Sequence, residues 1–208
     1  MSAVTTVLPP RAAYTDEPIF RLTVDQYHDL IERGKLTSDD PVELIEGMLV
    51  FKMPKYPPRA TVTGCLADLI TPALPKGWFL RTQEPITLND GEPEPDATII
   101  RGRRRDYSTR HPGPDEIGLV VEVADSTLKR DRGMKLRSYA RAGIICYWII
   151  NLIDQQIEVY TQPDAKVATP TYLHREIVPA NGQFNLVLDG RPITKFVAAD
   201  MLPAVSES

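Results

Sequence analysis

"LVVEVADSTLKRDRGMK", residues 119–135, decides how this chain is read. Five apolar residues flank one acid, Glu122, in a run that predicts a buried strand. Side chains alternate along a strand, so Val120, Glu122 and Ala124 share one face while Val121 and Val123 share the other. An ionised carboxylate in such company is costly unless it is paired or bound to a metal. The alternative is a strand end open to water. Two further acids, Asp125 and Asp131, follow, and then Lys135. Asp131 and Lys135 stand i, i+4 with the acid first, which is also the spacing of an ordinary helix-surface pair.

Outward from this stretch the elements are well marked. On the C-terminal side "RDRGMKLRSYARAG" predicts a helix that stops at Gly143, weakened by Gly133 in its first turn. "IICYWIIN" is a strand buried on both faces, and "QQIEVYT" pairs back on it as a hairpin. "ITKFVAADML" reads as a last short helix. On the N-terminal side "GWFLRTQ", "PITL" and "DATIIR" are short β-rich runs, and "RATVTGCLADLITPAL" carries Val62, Leu66, Leu69 and Ile70 on one helical face. "VELIEGMLVFK" predicts two strands turning near Glu46–Gly47. "TVDQYHDLIERG" is a helix with a Thr23/Gln26 capping box, an apolar stripe of Val24, Tyr27, Leu30 and Ile31, and a stop at Gly34. Residues 1–18 lack periodicity and read as a mobile tail, leaving 19–203 as one domain. The order predicts an α/β fold: a mixed central sheet with helices covering its faces.

Composition narrows the function. No run approaches the roughly 18 apolar residues of a membrane span. The first residues have neither a basic nor an apolar leader segment, so no secretory signal is expected. Cys65 and Cys146 lie far apart in apolar surroundings and read as buried free thiols, which fits a reducing cytoplasm. The three histidines are scattered and form no zinc pattern. A net charge of −4 argues against a protein that coats nucleic acid constitutively. Residues 101–141 nevertheless hold eleven Lys/Arg against six Asp/Glu. "RGRRR" at 101–105 is one cluster; Lys129, Arg130, Arg132, Lys135, Arg137 and Arg141 form another. Such clusters either bind a phosphate backbone or make a solvated face.

A second acid has the right company. In "EPEPDATII", Pro93 and Pro95 hold the chain extended and Asp96 opens a strand. If that strand neighbours 118–124, Asp96 and Glu122 converge on one hard cation such as Mg²⁺, which favours one or two carboxylates and several waters. The alternative is a turn aspartate capping a loop. A lysine beside a metal-bound phosphate would stabilise developing charge or orient the attacking water, and Lys135 is the candidate.

Together, Pro95-Asp96, "VVEVADST", "DRGMKLRSYARAG" and "YWIIN" resemble the Uma-type restriction-endonuclease-like proteins, a bacterial group of the PD-(D/E)XK nuclease superfamily. "VELIEGMLV" and "IEVY" extend the resemblance over about residues 20–190. It implies a restriction-endonuclease-like core and a Mg²⁺- or Mn²⁺-dependent endonuclease that hydrolyses DNA with a metal-activated water. Asp96 and Glu122 would be the metal-binding acids, with the Val123 carbonyl a further ligand. The superfamily's lysine position two residues after the second acid is Ala124 here, and Lys135 matches the family's migrated lysine on the next helix. Glu43 matches an acidic position from the N-terminal part, and Asp131 and Tyr139 fit the motif, Tyr139 either positioning Lys135 or packing in the core. The chain departs from the family at Met48, where a second acid is usual, at Arg59, often a histidine, and at Asn151, usually an aspartate. RNA as substrate stays open, a homodimer would suit symmetric cutting of a duplex, and the other reading is a non-catalytic module that binds nucleic acid or protein through the same fold.

Overall fold

The computed structural model describes residues 18–54 and 56–203. The mobile tail expected over 1–18 therefore lies, Pro18 apart, outside the described residues. Helix α1 (Val24–Glu32) begins with the expected reciprocal cap: the Gln26 amide N–H donates to Thr23 Oγ1 at 3.2 Å, and the Thr23 N–H donates to Gln26 Oε1 at 3.0 Å. Of its apolar stripe only Tyr27 is buried. Strands β1 (Val42–Ile45) and β2 (Met48–Phe51) form the expected hairpin, turning through Glu46 and Gly47, both at positive φ. Helix α2 (Pro57–Ile70) starts on two prolines, whose missing N–H groups cost nothing in a first turn.

Six strands make the central sheet: β3 (Trp78–Thr82), β4 (Ala97–Arg101), β5 (Ile117–Ala124), β6 (Cys146–Asn151), β7 (Gln156–Asp164) and β8 (Thr171–Pro179), in that spatial order. Only β5 and β6 run parallel; every other neighbouring pair is antiparallel. A parallel pair needs a crossover. Here it is helical, α3 (Leu128–Arg130) and α4 (Leu136–Arg141) joined by a π-helical turn, Asp131–Lys135. The mixed sheet and its burial match the expected α/β class.

The alternation read from β5 holds. Val120 and Ala124 pack with Leu136, Tyr139, Tyr147 and Ile149 under the crossover helix. Val121 and Val123 pack on the opposite face with Val62, Leu66 and Ile70 of α2. That second face is also covered by a separate hairpin, β9 (Gln183–Leu188) and β10 (Arg191–Val197), which contributes Phe184, Leu186 and Phe196. Each face thus has one main helix, and a β-hairpin takes the place of a further one. The segment expected to end the chain as a helix is instead β10 followed by one 3₁₀ turn, Ala198–Met201. A register shift between Pro192 and Thr194 breaks the strand alternation there, leaving Ile193 and Phe196 at a helix-like spacing. "PITL" forms no strand of the sheet; Leu88 makes a single bridge to Gly91. Cys146 is buried and Cys65 half-buried, both as free thiols. Among the described residues no helix is long and apolar enough to cross a membrane.

A polar knot braces the sheet next to the crossover helix. Glu158 of β7 is fully buried and accepts from Arg132, from Asn151 Nδ2 at 2.9 Å, from the Tyr160 hydroxyl at 2.7 Å and from Arg175 at 2.8 Å. Asn151 also receives the Ile153 and Asp154 amides. An aspartate at 151 would confront Glu158 with a like charge, so the amide suits this sheet. Burial opposes the Glu158 charge, but Arg132, Tyr160 and Asn151 more than offset it and hold the carboxyl at about 2. A carboxylate whose folded pKa is depressed stabilises above its unfolded value, near 4.5, and loses that contribution as pH falls toward 2. Glu158→Gln is therefore expected to lower the melting temperature at pH 6, with the gap to wild type closing progressively between about pH 4.5 and 2. A gap that does not change over that range would show that the charge of Glu158 contributes nothing.

Candidate active site

Register builds the site. Ala97 of β4 faces Val121 of β5, so Asp96, one residue before β4, comes beside Glu122 and Val123. The Val123 N–H donates to Asp96 Oδ2 at 2.8 Å. A strand residue sends its N–H and C=O to the same side, so the Val123 carbonyl faces Asp96 as well. The two-proline approach thus delivers the aspartate to the strand end, and the loop-capping alternative fails.

Glu122 is fully buried, which removes the water-exposed alternative. Its Oε1 accepts from Lys135 Nζ at 2.8 Å and from the Tyr139 hydroxyl at 2.7 Å. Its Oε2 is buried with no hydrogen-bond partner. Burial pushes the carboxyl up to about 8, against the opposing pull of Lys135. Burial alone would lower the Lys135 ammonium, but Glu122, Glu43 and Asp131 outweigh it and raise its pKa above the ordinary value. Lys135 is 3% exposed, so the helix-surface pairing with Asp131 is not what this lysine does.

The π-helical turn explains the reach. Its i→i+5 bonding shifts the helix phase inside the crossover, and Lys135 and Tyr139, four residues apart, both meet one oxygen of Glu122. Tyr147 from β6 donates to the Asp131 carbonyl at 3.1 Å, and Thr127 donates to the Asp131 carboxylate at 2.6 Å. Asp131 is buried, and burial raises its pKa. It braces the turn that carries Lys135, and Tyr139 both packs in the core and touches the site.

Glu43 enters from the β1–β2 hairpin. Leu44 bridges Glu92, whose N–H donates to the Leu44 carbonyl at 2.8 Å, and the Glu94 N–H donates to Glu43 Oε2 at 3.0 Å. The same oxygen lies 3.5 Å from Lys135 Nζ. Gly91 permits this docking: a Cβ there would stand 2.5 Å from the Leu44 carbonyl oxygen. Gly91→Ala is expected to push β1 outward, lowering stability by about 1–3 kcal/mol in urea unfolding and loosening Glu43. An unchanged unfolding midpoint would show that the hairpin is not seated against residues 91–94.

Arg59 was legible only as a departure from the family pattern, and its contact was not foreseen. From the first turn of α2 its Nε donates to Asp96 Oδ1 at 3.0 Å and its Nη2 to Oδ2 at 2.8 Å. Nη2 also lies 4.0 Å from Glu122 Oε2. Burial disfavours this guanidinium, but Asp96 outweighs it and raises its pKa. The space beside these groups is a cavity of ≈ 30 Å³ lined by Glu43, Arg59, Asp96, Arg130, Asp131 and Lys135 among others. Met48, the other departure in the N-terminal part, sits half-buried on β2 and lines no part of that cavity.

Arg101, Arg103, Arg104 and Arg105 are exposed, as the solvated-face reading expects, and many of the basic side chains are paired. Arg101 pairs with Asp189, Arg104 with Glu84 at 3.1 Å, Arg137 with Glu46 at 2.8 Å, and Arg141 with Asp90. With Arg132 on Glu158, most of the local positive excess is met by acids from outside 101–141.

A mixed sheet with acids from the starts and ends of two neighbouring strands, and a lysine from the crossover helix, defines a restriction-endonuclease-like core. Comparison agrees. The fold matches a crystal structure from Anabaena variabilis ATCC 29413, described as a putative nuclease belonging to DUF820, with a TM-score of 0.64 and 16% identity over 86% of this chain and 97% of that one. The chain belongs to the Uma2 family, described as "Putative restriction endonuclease", whose model matches residues 24–187. No curated protein matches it.

Proposed function

We infer that this protein is a Mg²⁺- or Mn²⁺-dependent endonuclease that hydrolyses DNA phosphodiester bonds. The observation that carries the reading is the buried Glu122 carboxylate: one oxygen is held by Lys135 and Tyr139, while the other has no hydrogen-bond partner, Arg59 Nη2 standing 4.0 Å from it. An orphaned buried carboxylate oxygen is costly in a protein, and a hard cation is the partner it fits. Among the described residues no three acidic, His or Cys side chains converge tightly enough to form a metal cluster by themselves. Asp96, Glu122 and the Val123 carbonyl would hold the cation, with Glu43 reached through Lys135.

Bound there, the cation would polarise the phosphate and lower the pKa of its water. Lys135 keeps an ammonium at Glu122 and is placed to meet charge developing on the phosphate. Tyr139 fixes the Glu122 oxygen that Lys135 uses, so the free oxygen keeps a single orientation. The second reading, a non-catalytic nucleic-acid-binding module, is favoured by one feature, the Arg59 clamp on Asp96.

Supercoiled plasmid and a structured RNA, each incubated with Mg²⁺ or Mn²⁺ and with EDTA, separate the possibilities. Nicking of the plasmid that EDTA abolishes is the expected result. Cutting of the RNA alone would change the substrate, and binding without cutting would favour the module.

A further inference from the structure

Asp96 is held from two sides. Both its oxygens accept from Arg59, and Oδ2 also takes the Val123 N–H. The same guanidinium stands 4.0 Å from the partnerless Glu122 oxygen. A resident cation thus spans the two acids that the nuclease reading gives to a metal. The adjoining ≈ 30 Å³ holds about two waters, fewer than a hydrated divalent ion keeps, so the ion and the guanidinium compete for the acids. Two positive charges on one aspartate would also repel.

Arg59 cannot simply leave. A buried guanidinium stripped of its carboxylate carries a large desolvation penalty unless another anion takes it. Of the other acids in the cavity wall, Glu94 is already held by Lys52 at 2.6 Å, Glu43 by Lys135 at 3.5 Å and Asp131 by the Thr127 hydroxyl at 2.6 Å. The planar fork of arginine matches a phosphate as well as a carboxylate, and Arg59 projects from the first turn of α2.

We propose that Arg59 is an exchange residue: a backbone phosphate draws its guanidinium off Asp96, and the divalent ion takes the vacated oxygens. Metal and nucleic acid then bind cooperatively, each weak alone. The idea rests on the nuclease reading of the same site. It assigns Arg59 a contact with the substrate phosphate and explains how one side chain can block the acids at rest and serve them in the complex.

Mn²⁺ binding to the full chain, followed by the paramagnetic signal of the free ion, tests it. Wild type, Arg59→Gln, Arg59→Lys and Glu122→Gln are titrated alone and with excess short DNA duplex, with the duplex's own binding subtracted. Wild type is expected to bind Mn²⁺ weakly alone and about tenfold to a hundredfold tighter with duplex, the range spanned by one charge-assisted hydrogen-bonded contact. Arg59→Gln is expected to show the tighter affinity without duplex and to gain little from it. Arg59→Lys keeps the charge, loses the fork, and is expected to fall between. Melting temperatures in EDTA and in Mn²⁺ guard against misfolding: Mn²⁺ should raise that of Arg59→Gln more than that of wild type. If Arg59→Gln fails to fold, Arg59→Lys carries the comparison. Equal Mn²⁺ affinity in wild type and the Arg59 variants, abolished by Glu122→Gln, would overturn the exchange and leave the metal site standing. No Mn²⁺ binding that depends on Glu122, with or without duplex, would overturn both.

Discussion

Lys135→Met is expected to lower the stability of the protein by about 3 kcal/mol, the lower end of what breaking a buried ion pair costs. The lysine lies 2.8 Å from Glu122 and 3.5 Å from Glu43, and all three are buried. Removing it leaves two carboxylates without their shared cation. The loss stays near the lower end because Glu122, pushed up to about 8 by burial, can take a proton. Adding Glu122→Gln removes one of the stranded charges, so the double variant should lose less than the two single losses combined, by about 1–2 kcal/mol. Urea unfolding midpoints at constant slope read both numbers. A loss below about 0.5 kcal/mol for Lys135→Met is what a solvated surface residue gives, and would contradict the buried pairing.

The largest effect on activity is expected from Glu122→Gln. The amide keeps the shape of the carboxyl and its contact with Tyr139, but it cannot supply an anionic oxygen to a cation. A metal contributes several kcal/mol of charge stabilisation to phosphate hydrolysis, so nicking of plasmid should fall by about 10³-fold or more. Melting is expected to fall as well, because the amide leaves the buried Lys135 ammonium with the Glu43 carboxylate at 3.5 Å as its remaining close anion. Retained cutting by a well-folded Glu122→Gln protein, purified beside wild type, would place the chemistry elsewhere or in a contaminant. Lost cutting together with lost folding would be settled by the stability measurements of the preceding variant.

Part of this was legible in the chain and part was not, for physical reasons. β5 and β6 announce themselves because both faces are buried, giving near-continuous apolar runs broken only by Glu122. Asp96, Glu122, Lys135 and Glu43 were marked by a motif, and the structure brings them to one strand end. The π-helical turn was not legible, although Gly133 signalled irregularity, because helical phase is set by packing against Tyr147 and Glu122. Strand β8 was passed over since its central residues are exposed and carry no apolar alternation. Strand β9 does alternate, buried at Phe184, Leu186 and Leu188, and could have been found by a stricter period-2 search. The arginine clusters read as either a solvated face or a phosphate dock, because sequence shows only neighbours along the chain. Their partners, Glu46, Glu84, Asp90 and Asp189, arrive from elsewhere in the fold. Arg59 belongs to the same class, since its partner Asp96 is 37 residues away.

The most direct test of the account is the anomalous scattering of Mn²⁺ in crystals of the protein with a short DNA duplex, soaked with the ion at millimolar concentration. The account predicts a peak about 2.1 Å from oxygens of both Asp96 and Glu122, the spacing of a small octahedral cation, with the Arg59 guanidinium moved off Asp96. A peak elsewhere, or Arg59 still clamped on Asp96 with no ion beside Glu122, would contradict it.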